Sequence, residues 1–189
     1  MNANIGMVYP VAATVATYTP GTSISYNVGS NFAEAVSASL SWERADGHFY
    51  GDDAELDSDN GVLGYTIDFE PSGLSDTARA TLLGETVSSS EYTITDAAAP
   101  DVGFGYVRVM RNKGVVSYEA WWFYKVKFGV TSEETRTKER SIEWRVPTLQ
   151  GVGSGVSLDS TGKLNFAQHK SFNDLASAKA YLNSKAGIS

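Results

Sequence analysis

The chain has 189 residues, no cysteine and a formal net charge of -7 at pH 7. That length suits a single domain with an ordinary core, and the absence of cysteine excludes disulfides, thiolate chemistry and zinc–thiolate sites. The opening residues lack the basic start and apolar run of a secretory signal, and no stretch approaches the roughly 20 apolar residues of a membrane helix, so we expect a soluble protein.

Two strands are predicted in the first quarter of the chain. Residues 36–42 alternate between apolar and small polar side chains, which is typical of a half-buried strand. Residues 23–28 follow a Pro-Gly turn signal and are expected to pair with this strand. The side chains predicted to face the core are Val36, Ala38, Leu40 and Trp42.

An acidic segment follows at 46–60. The EF-hand pattern fails here, because Asn60 takes the place of the required glycine and Thr66 that of the bidentate glutamate. Three alternatives remain: a calcium site of another kind, a solvated acidic loop, or a loop that docks on a basic patch of a neighbouring subunit. Carboxylates at alternate positions, the ligand type that Ca²⁺ prefers, are supplied by Asp53, Glu55, Asp57 and Asp59.

A strand and a helix come next. Residues 62–69 predict a strand that Pro71 would end, because proline cannot donate to a ladder. Residues 74–83 predict a helix with Ser75 or Asp76 as N-cap and the following glycine as its stop.

The clearest hairpin joins strands at 102–110 and 115–128 through the turn 111–114, whose glycine accepts a positive φ. The second strand carries large rings on both faces. A sheet with one face exposed to water would not normally carry Trp121 and Phe123 on that face. We therefore expect a second layer or another protein chain to cover them. One face would hold Tyr118, Ala120, Trp122, Tyr124, Val126 and Phe128, and the other Ser117, Glu119, Trp121, Phe123, Lys125 and Lys127.

The C-terminal part ends in a helix. Residues 137–146 predict a last strand, and the Gly/Ser-rich stretch 151–163 indicates a flexible connection or an irregular hairpin. A helix is predicted over about 172–186 with Ser171 as N-cap. Its apolar stripe consists of Leu175, Ala178 and Leu182, bordered by Tyr181, with Gly187 at its end.

These elements predict a mainly β protein, a mostly antiparallel β-sandwich with one inserted helix and one C-terminal helix. Residues 1–150 would form the sandwich domain. Residues 151–189 would form a connection and a helix packed on the same domain.

Charge is unevenly distributed along the chain. Residues 43–101 hold 14 acidic and two basic side chains, whereas residues 102–189 hold seven acidic and 13 basic ones. A fold that keeps these segments apart would give a dipolar subunit able to stack head to tail. A fold that interleaves their strands would average the field away.

Catalytic signatures are weak. His48 is expected in a loop or at a strand edge and His169 on the surface before the last helix, and neither has a nucleophile or metal setting. A glycosidase needs only two suitably spaced carboxylates, but no motif frames such a pair. The segment 103–105 (GFG) lies inside a strand pattern, so it predicts a bulge or a close backbone approach rather than a phosphate loop. We therefore expect no enzyme, no cofactor and no metal.

The sequence bears on two binding roles, to nucleic acid and to carbohydrate. A basic cluster could grip phosphate, but an isoelectric point near 4.8 and interleaved glutamates favour a salt-bridged strand face. The tryptophans could stack on sugar in a carbohydrate-binding or adhesion module, although core positions explain most of them. The basic residues concerned are Lys125, Lys127, Arg136, Lys138, Arg140 and Arg145.

Several segments together resemble the major tail proteins, or tail tube proteins, of long non-contractile-tailed phages of Gram-positive bacteria. The likeness lies in their order and spacing over most of the chain, while residues 154–168 depart from the pattern and receive no role from it. The segments are ANIGMVYPVAA, FYGDDAELDSDNG, ATLLG, DVGFGYVRVMRNKGV, AWWFYKVKF, IEWRVPTLQG and FNDLASAKAYLNSKAG.

The resemblance implies a structural virion protein, made in the host cytoplasm, with a β-sandwich flanked by a helix. Copies would form hexameric rings that stack into a tube and join their sheets into a continuous β-barrel. Genomic DNA would pass through a lumen whose negative charge repels phosphate. The implied partners are further copies of the chain and the tape-measure, tail-tip or initiator, and tail-terminator proteins, with no membrane.

The resemblance also implies subunit contacts. The acidic segment 46–60 matches the position of the family's extended loop, which contacts an adjacent subunit or ring. We therefore predict interface roles for Asp52, Asp53, Glu55 and Asp57 in that segment, and for Trp121 and Phe123 on the aromatic strand.

Overall fold

The computed structural model describes residues 3–51, 54–88, 91–96, 98–132 and 146–188. Within these ranges the chain is mainly β with one internal and one C-terminal helix, which confirms the predicted fold class. The strands are β1 (Ala3–Thr19), β2 (Ser23–Tyr26), β3 (Ser30–Asn31), β4 (Ala35–Arg44), β5 (Gly47–Gly51), β6 (Ala54–Asp59), β7 (Val62–Pro71), β8 (Thr86–Ser88), β9 (Glu91–Thr93), β10 (Val102–Asn112), β11 (Val115–Ser132), β12 (Thr148–Gly153), β13 (Val156–Ser157), β14 (Leu164–Asn165) and β15 (Ala167–Phe172). The helices are α1 (Asp76–Leu83) and α2 (Leu175–Ala186).

Nine strands form one antiparallel sheet. Its order is β2-β1-β10-β11-β12-β7-β4, with β15 also paired to β11 and β3 to β1. Although β1 and β4 are five positions apart, or about 24 Å in a flat sheet, they are in contact. The sheet therefore curls, so that one of its faces encloses a core.

The first core lies inside this curl and is rich in aromatic rings. Phe104 stands at its centre, with ring centroids 5.2 Å from Phe128 and 5.4 Å from Phe69. Helix α1 closes the core with the fully buried Leu82. Residues from β1, β7, β10, β11 and β12 contribute to this core, so it draws on sequence-distant parts of the chain.

The second core lies between the opposite face of the sheet and α2. Trp122 of β11 is fully buried there, together with Ala178 and Leu182 of the helix. The helix can approach closely because the facing strand carries glycine: a Cβ at Gly105 would lie 2.9 Å from Leu182 Cδ2 of α2. The close backbone approach predicted for the GFG segment is thus present.

A bulge in β11 lets one strand serve both cores. Tyr124 and Lys125 together stand opposite the single Gly103 of β10. The extra residue reverses the alternation, so that Phe123 and Val126 both face the first core. The prediction that Val126 and Phe128 share a face with Trp122 was wrong for this reason.

Hydrogen bonds from both faces of the sheet and from neighbouring segments hold the backbone of the bulge. Tyr26 Oη, from the α2 side of the sheet, donates to the carbonyl of Tyr124 over 2.8 Å. Tyr65 Oη, from the first core, donates to the carbonyl of Lys125 over 3.2 Å. The amide of Tyr124 donates to the carbonyl of Phe166, and Ser154 N donates to that of Lys125. The bulge lies where the neighbour of β11 changes from β15 to β12.

The predicted hairpin of β10 and β11 is confirmed. Asn112 pairs with Val115, and the two residues between them, Lys113 and Gly114, have φ of 47° and 89°. Positive φ at both positions is the mark of a type I′ turn, whose twist matches that of the strands.

In the N-terminal half, pairing and burial differ from the prediction at two places. The segment predicted over 23–28 pairs as β2 with β1 rather than with β4. Val36 is 56% exposed because a register shift between Ala35 and Ser37 turns it out of the core, and Trp42 is 37% exposed at the rim. β7 ends at Pro71, as predicted, and is two residues longer than the predicted 62–69.

Of the two alternatives for the stretch 151–163, the structure has the hairpin: β13 within it pairs with β14. The helix begins at Leu175 with Asp174 as N-cap, because residues up to Phe172 belong to β15. Helix α1 has the predicted Ser75 cap. The strand predicted over 137–146 falls mainly outside the described residues.

Replacing Gly153 by alanine should destabilise the fold, because a Cβ there would overlap the ring of Tyr65 and displace the hydroxyl that supports the bulge. We expect a loss of about 1–3 kcal/mol in the free energy of unfolding, measured by urea denaturation. Gly129→Ala is the matched control, since no atom lies within 4 Å of its added Cβ. Equal stability of the two variants would contradict the close fit.

The two bulge tyrosines should make stability depend on alkaline pH. Burial disfavours the phenolate and raises the pKa of Tyr26 and of Tyr65 above the ordinary value of 10.0. The folded state thus holds these protons more tightly, so the contribution of these two tyrosines to stability is constant below about pH 10 and falls above it.

Urea denaturation between about pH 9 and 11 tests this effect. At pH 9 the free energy of unfolding of Tyr26→Phe/Tyr65→Phe should be lower than that of the parent, by about 1 kcal/mol for each lost hydrogen bond. It should then decline less steeply than that of the parent as the pH rises. Tyr118→Phe serves as the control, and parallel pH profiles for all three proteins would refute the assignment.

Candidate interaction surfaces

Trp121 lies at the rim of the first core, half-buried. The ring of His169 stacks on it with centroids 4.6 Å apart and planes 14° from parallel. The guanidinium carbon of Arg108 lies 4.9 Å from the centroid of the tryptophan ring, and indole Nε1 donates to Glu119 Oε2 over 3.3 Å. His169 is exposed and precedes α2, as predicted, and it belongs to β15 and to this rim cluster.

Phe123, the second aromatic residue predicted at an interface, is fully buried within its own subunit. Its ring centroid lies 5.2 Å from that of Tyr65 and 6.0 Å from those of Tyr106 and Trp121. The expectation that a layer covers these rings is met by the chain itself for Phe123. Only Trp121 of the pair retains surface that another molecule can contact.

The acidic segment forms a hairpin of β5 and β6. Asp52 and Asp53 lie outside the described residues, and of Glu55 and Asp57 only the place in β6 is described. The two strands pair with each other in a sheet of their own. Few contacts join this hairpin to the other described strands and helices. An isolated two-stranded hairpin is only marginally stable in water, so this one would gain from a partner.

His48 and Asp46 lie at the base of this hairpin. His48 Nε2 is 3.0 Å from Asp46 Oδ1, and both side chains are largely exposed. His48 is thus a strand residue beside a carboxylate, in one of the settings predicted for it.

The basic side chains lie in several settings. Lys125 and Lys127 both approach Asp101, with N–O distances of 3.3 and 3.8 Å, so one carboxylate offsets part of their charge. Three lysines of β15 and α2 lie over aromatic rings: Lys170 over Phe172 and Tyr181, Lys179 over Tyr9, and Lys185 over Tyr181. Lys125 also lies over a ring, that of Tyr18. The remaining predicted basic residues, Arg136, Lys138, Arg140 and Arg145, lie outside the described residues.

A pocket of about 380 Å³ lies between α1 and the C-terminal part of β11. Its polar wall is an ion pair in which Arg79 Nε donates to both carboxylate oxygens of Glu85, at 3.0 and 3.1 Å. The Glu85 side chain is 5% exposed and that of Arg79 19%. Since the two charges neutralise each other, the pair has a structural role in fixing the C-terminal end of α1.

Within the described residues, no group of three or more histidine and carboxylate side chains is placed to hold a metal ion. The calcium alternative involves Asp53, which lies outside these residues, and stays a prediction. No helix of the described chain is long and apolar enough to cross a membrane.

Sequence reasoning missed the rim cluster and the ring contacts of Lys170 because both involve β15. Four consecutive exposed residues occupy the middle of that strand, so it lacks the apolar alternation that predicts strands.

No protein-family model matches this chain, and no curated protein is significantly similar to it.

Breaking the buried ion pair should cost more than removing an exposed charge. Arg79→Met leaves the carboxylate of Glu85 buried and unpaired, and we expect a loss of about 3 kcal/mol in the free energy of unfolding. Arg79→Met/Glu85→Leu should recover most of that loss, because neither charge remains. Arg44→Met, at an exposed position, should stay within about 0.5 kcal/mol of the parent in the same urea titration.

Proposed function

We propose that this chain is a structural, non-catalytic protein that assembles as stacked hexameric rings into the tube of a phage tail. The observation that carries the proposal is the acidic hairpin β5–β6, which forms its own sheet at the position of the family's extended inter-subunit loop. A hairpin whose described strands pair only with each other is suited to a role in contacts between subunits.

The edge strand β4 supports the same conclusion. It is ten residues long and, in the described sheet, is bonded on one side only, to β7. Monomeric proteins protect such edges because the free amides and carbonyls recruit further strands. Here the strand contains no proline, its charged residues are confined to one end, and Val36 and Trp42 present apolar surface beside the edge. An assembly that covers this edge explains its length.

Charge supports the proposed passage of DNA. The net charge of -7 makes strong non-specific binding to the phosphate backbone unfavourable. A tube built from such subunits, and lined by acidic or neutral side chains, lets DNA slide without holding it. In this proposal the protein acts in the virion tail with tape-measure, tail-tip or initiator and terminator proteins, and needs no cofactor.

Purified protein, followed by light scattering and negative-stain electron microscopy over a concentration series, tests the proposal. We expect rings or hollow tubes of uniform width. Raised salt should slow assembly, because it screens contacts between exposed charges. Asp52→Lys/Asp53→Lys should slow or abolish tube growth while circular dichroism shows a folded subunit.

Glu91→Lys/Asp96→Lys changes the net charge by the same amount at exposed positions outside the hairpin, and should assemble like the parent. Normal tubes from the Asp52/Asp53 variant would contradict the role of the hairpin. A protein that stays monomeric, with tryptophan fluorescence quenched saturably by oligosaccharides, would favour the alternative of a carbohydrate-binding or adhesion module.

A further inference from the structure

Two lysines share one tyrosine ring at the junction of β15 and α2. Lys170 Nζ lies 5.9 Å and Lys185 Nζ 5.5 Å from the ring centroid of Tyr181. Lys185 Nζ also donates to Gln168 Oε1 over 3.0 Å, and Tyr124 Oη donates to the same oxygen over 2.9 Å. We call Lys170, Tyr181 and Lys185 the α2 lysine cluster; its cations are held in place by the fold.

The cluster lacks an anionic partner within the described part of the subunit. The ion pairs there include Lys125 and Lys127 but neither Lys170 nor Lys185. The carboxylate of Asp174 caps the N-terminus of α2, where it accepts from Ser177 N over 2.7 Å, whereas Lys185 lies in the last turn. Two cations over one ring repel each other, so an incoming carboxylate gains from both.

The complementary charge lies on the hairpin β5–β6. Residues 47–59 contain five acidic side chains and neither lysine nor arginine. The hairpin leaves the sheet between β4 and β7, whereas α2 packs on β1, β10, β11 and β15 from the other side of the sheet. The two charged surfaces therefore belong to different parts of the fold.

We propose that the α2 lysine cluster of one subunit receives the acidic hairpin of a second copy. This inference rests on the proposed self-assembly and names the surface on which the hairpin docks. Because the two surfaces differ, the contact is head-to-tail, and such contacts propagate into closed rings or open filaments rather than stopping at a dimer. The uneven distribution of charge along the sequence would thereby orient each subunit relative to the next in the assembly.

Charge reversal in both surfaces tests the pairing. Lys170→Glu/Lys185→Glu should raise the concentration at which half of the protein associates by about tenfold or more at low salt, measured by sedimentation velocity. Combining it with Asp52→Lys/Asp53→Lys on the same chain should restore association to within about threefold of the parent, because the attraction returns with its sign exchanged. Lys113→Glu/Lys163→Glu, at exposed positions elsewhere, is the charge-matched control.

A second test does not depend on altered charges. Since the chain has no cysteine, Ser58→Cys on the hairpin of one copy and Ser184→Cys beside the cluster of another can be mixed and oxidised. Ser184 lies one helical turn after Tyr181 and is exposed, so we expect a cross-linked heterodimer. Ser25→Cys on β2 in place of Ser184→Cys should give little cross-linking.

The outcomes separate this inference from the proposed function. If the parent forms rings or tubes but Lys170→Glu/Lys185→Glu associates at the same concentration, or is not rescued by the hairpin reversal, the docking surface is wrong and the tube proposal stands. If the cysteine pair fails to cross-link within assembled parent-like tubes, the docking surface is likewise wrong. A parent that does not associate at any concentration overturns both.

Discussion

The bulge at Tyr124 and Lys125 is the constraint on which the rest of the fold depends. A regular β11 would send every second side chain to one core, and the side chains of Phe123 and Val126 could not share a face. The extra residue leaves backbone groups that the regular ladder does not satisfy, and buried groups of this kind are costly when unpaired. Tyr26 and Tyr65 meet that need from opposite faces of the sheet. The two cores are therefore coupled through one short segment of backbone.

Because the two cores are coupled inside the subunit, the features available to partners lie on its surface. Trp122, Phe123 and Phe128 of β11 are buried in the two internal cores, and what remains for partners is an edge, a hairpin, charge and exposed apolar side chains such as Val36 and Trp42. Contacts of these kinds are individually weak in water. They become strong when many identical copies repeat them, which is consistent with a protein that acts as a polymer rather than as a single molecule.

Sequence reasoning recovered elements whose pattern is local. The hairpin of β10 and β11, the cap at Ser75 and the apolar stripe of α2 each follow from residues close together in the chain. It missed β1, whose alternation is interrupted by register shifts near Gly6 and between Val8 and Val11. It also missed β15, which is polar along its length.

The candidate site was harder to predict for the same physical reason. The contact between His169 and Trp121 requires knowing which strand lies beside β11, and that between Lys170 and Tyr181 requires knowing that α2 packs against β15. The acidic hairpin could be located from charge alone. The surface that it would meet could not, because the lysines concerned are scattered over two elements and become neighbours only in the folded chain.

The length of β11 has a mechanical consequence. Its 18 residues span about 60 Å, and strands flank it on both sides. The hydrogen bonds of an antiparallel ladder run perpendicular to the strands, so a pull along β11 loads many of them at once instead of opening them one after another. A subunit built around such a strand is stiff along one axis and softer across it. Tension applied along that axis would be carried by the backbone, while bending would fall on the contacts between copies.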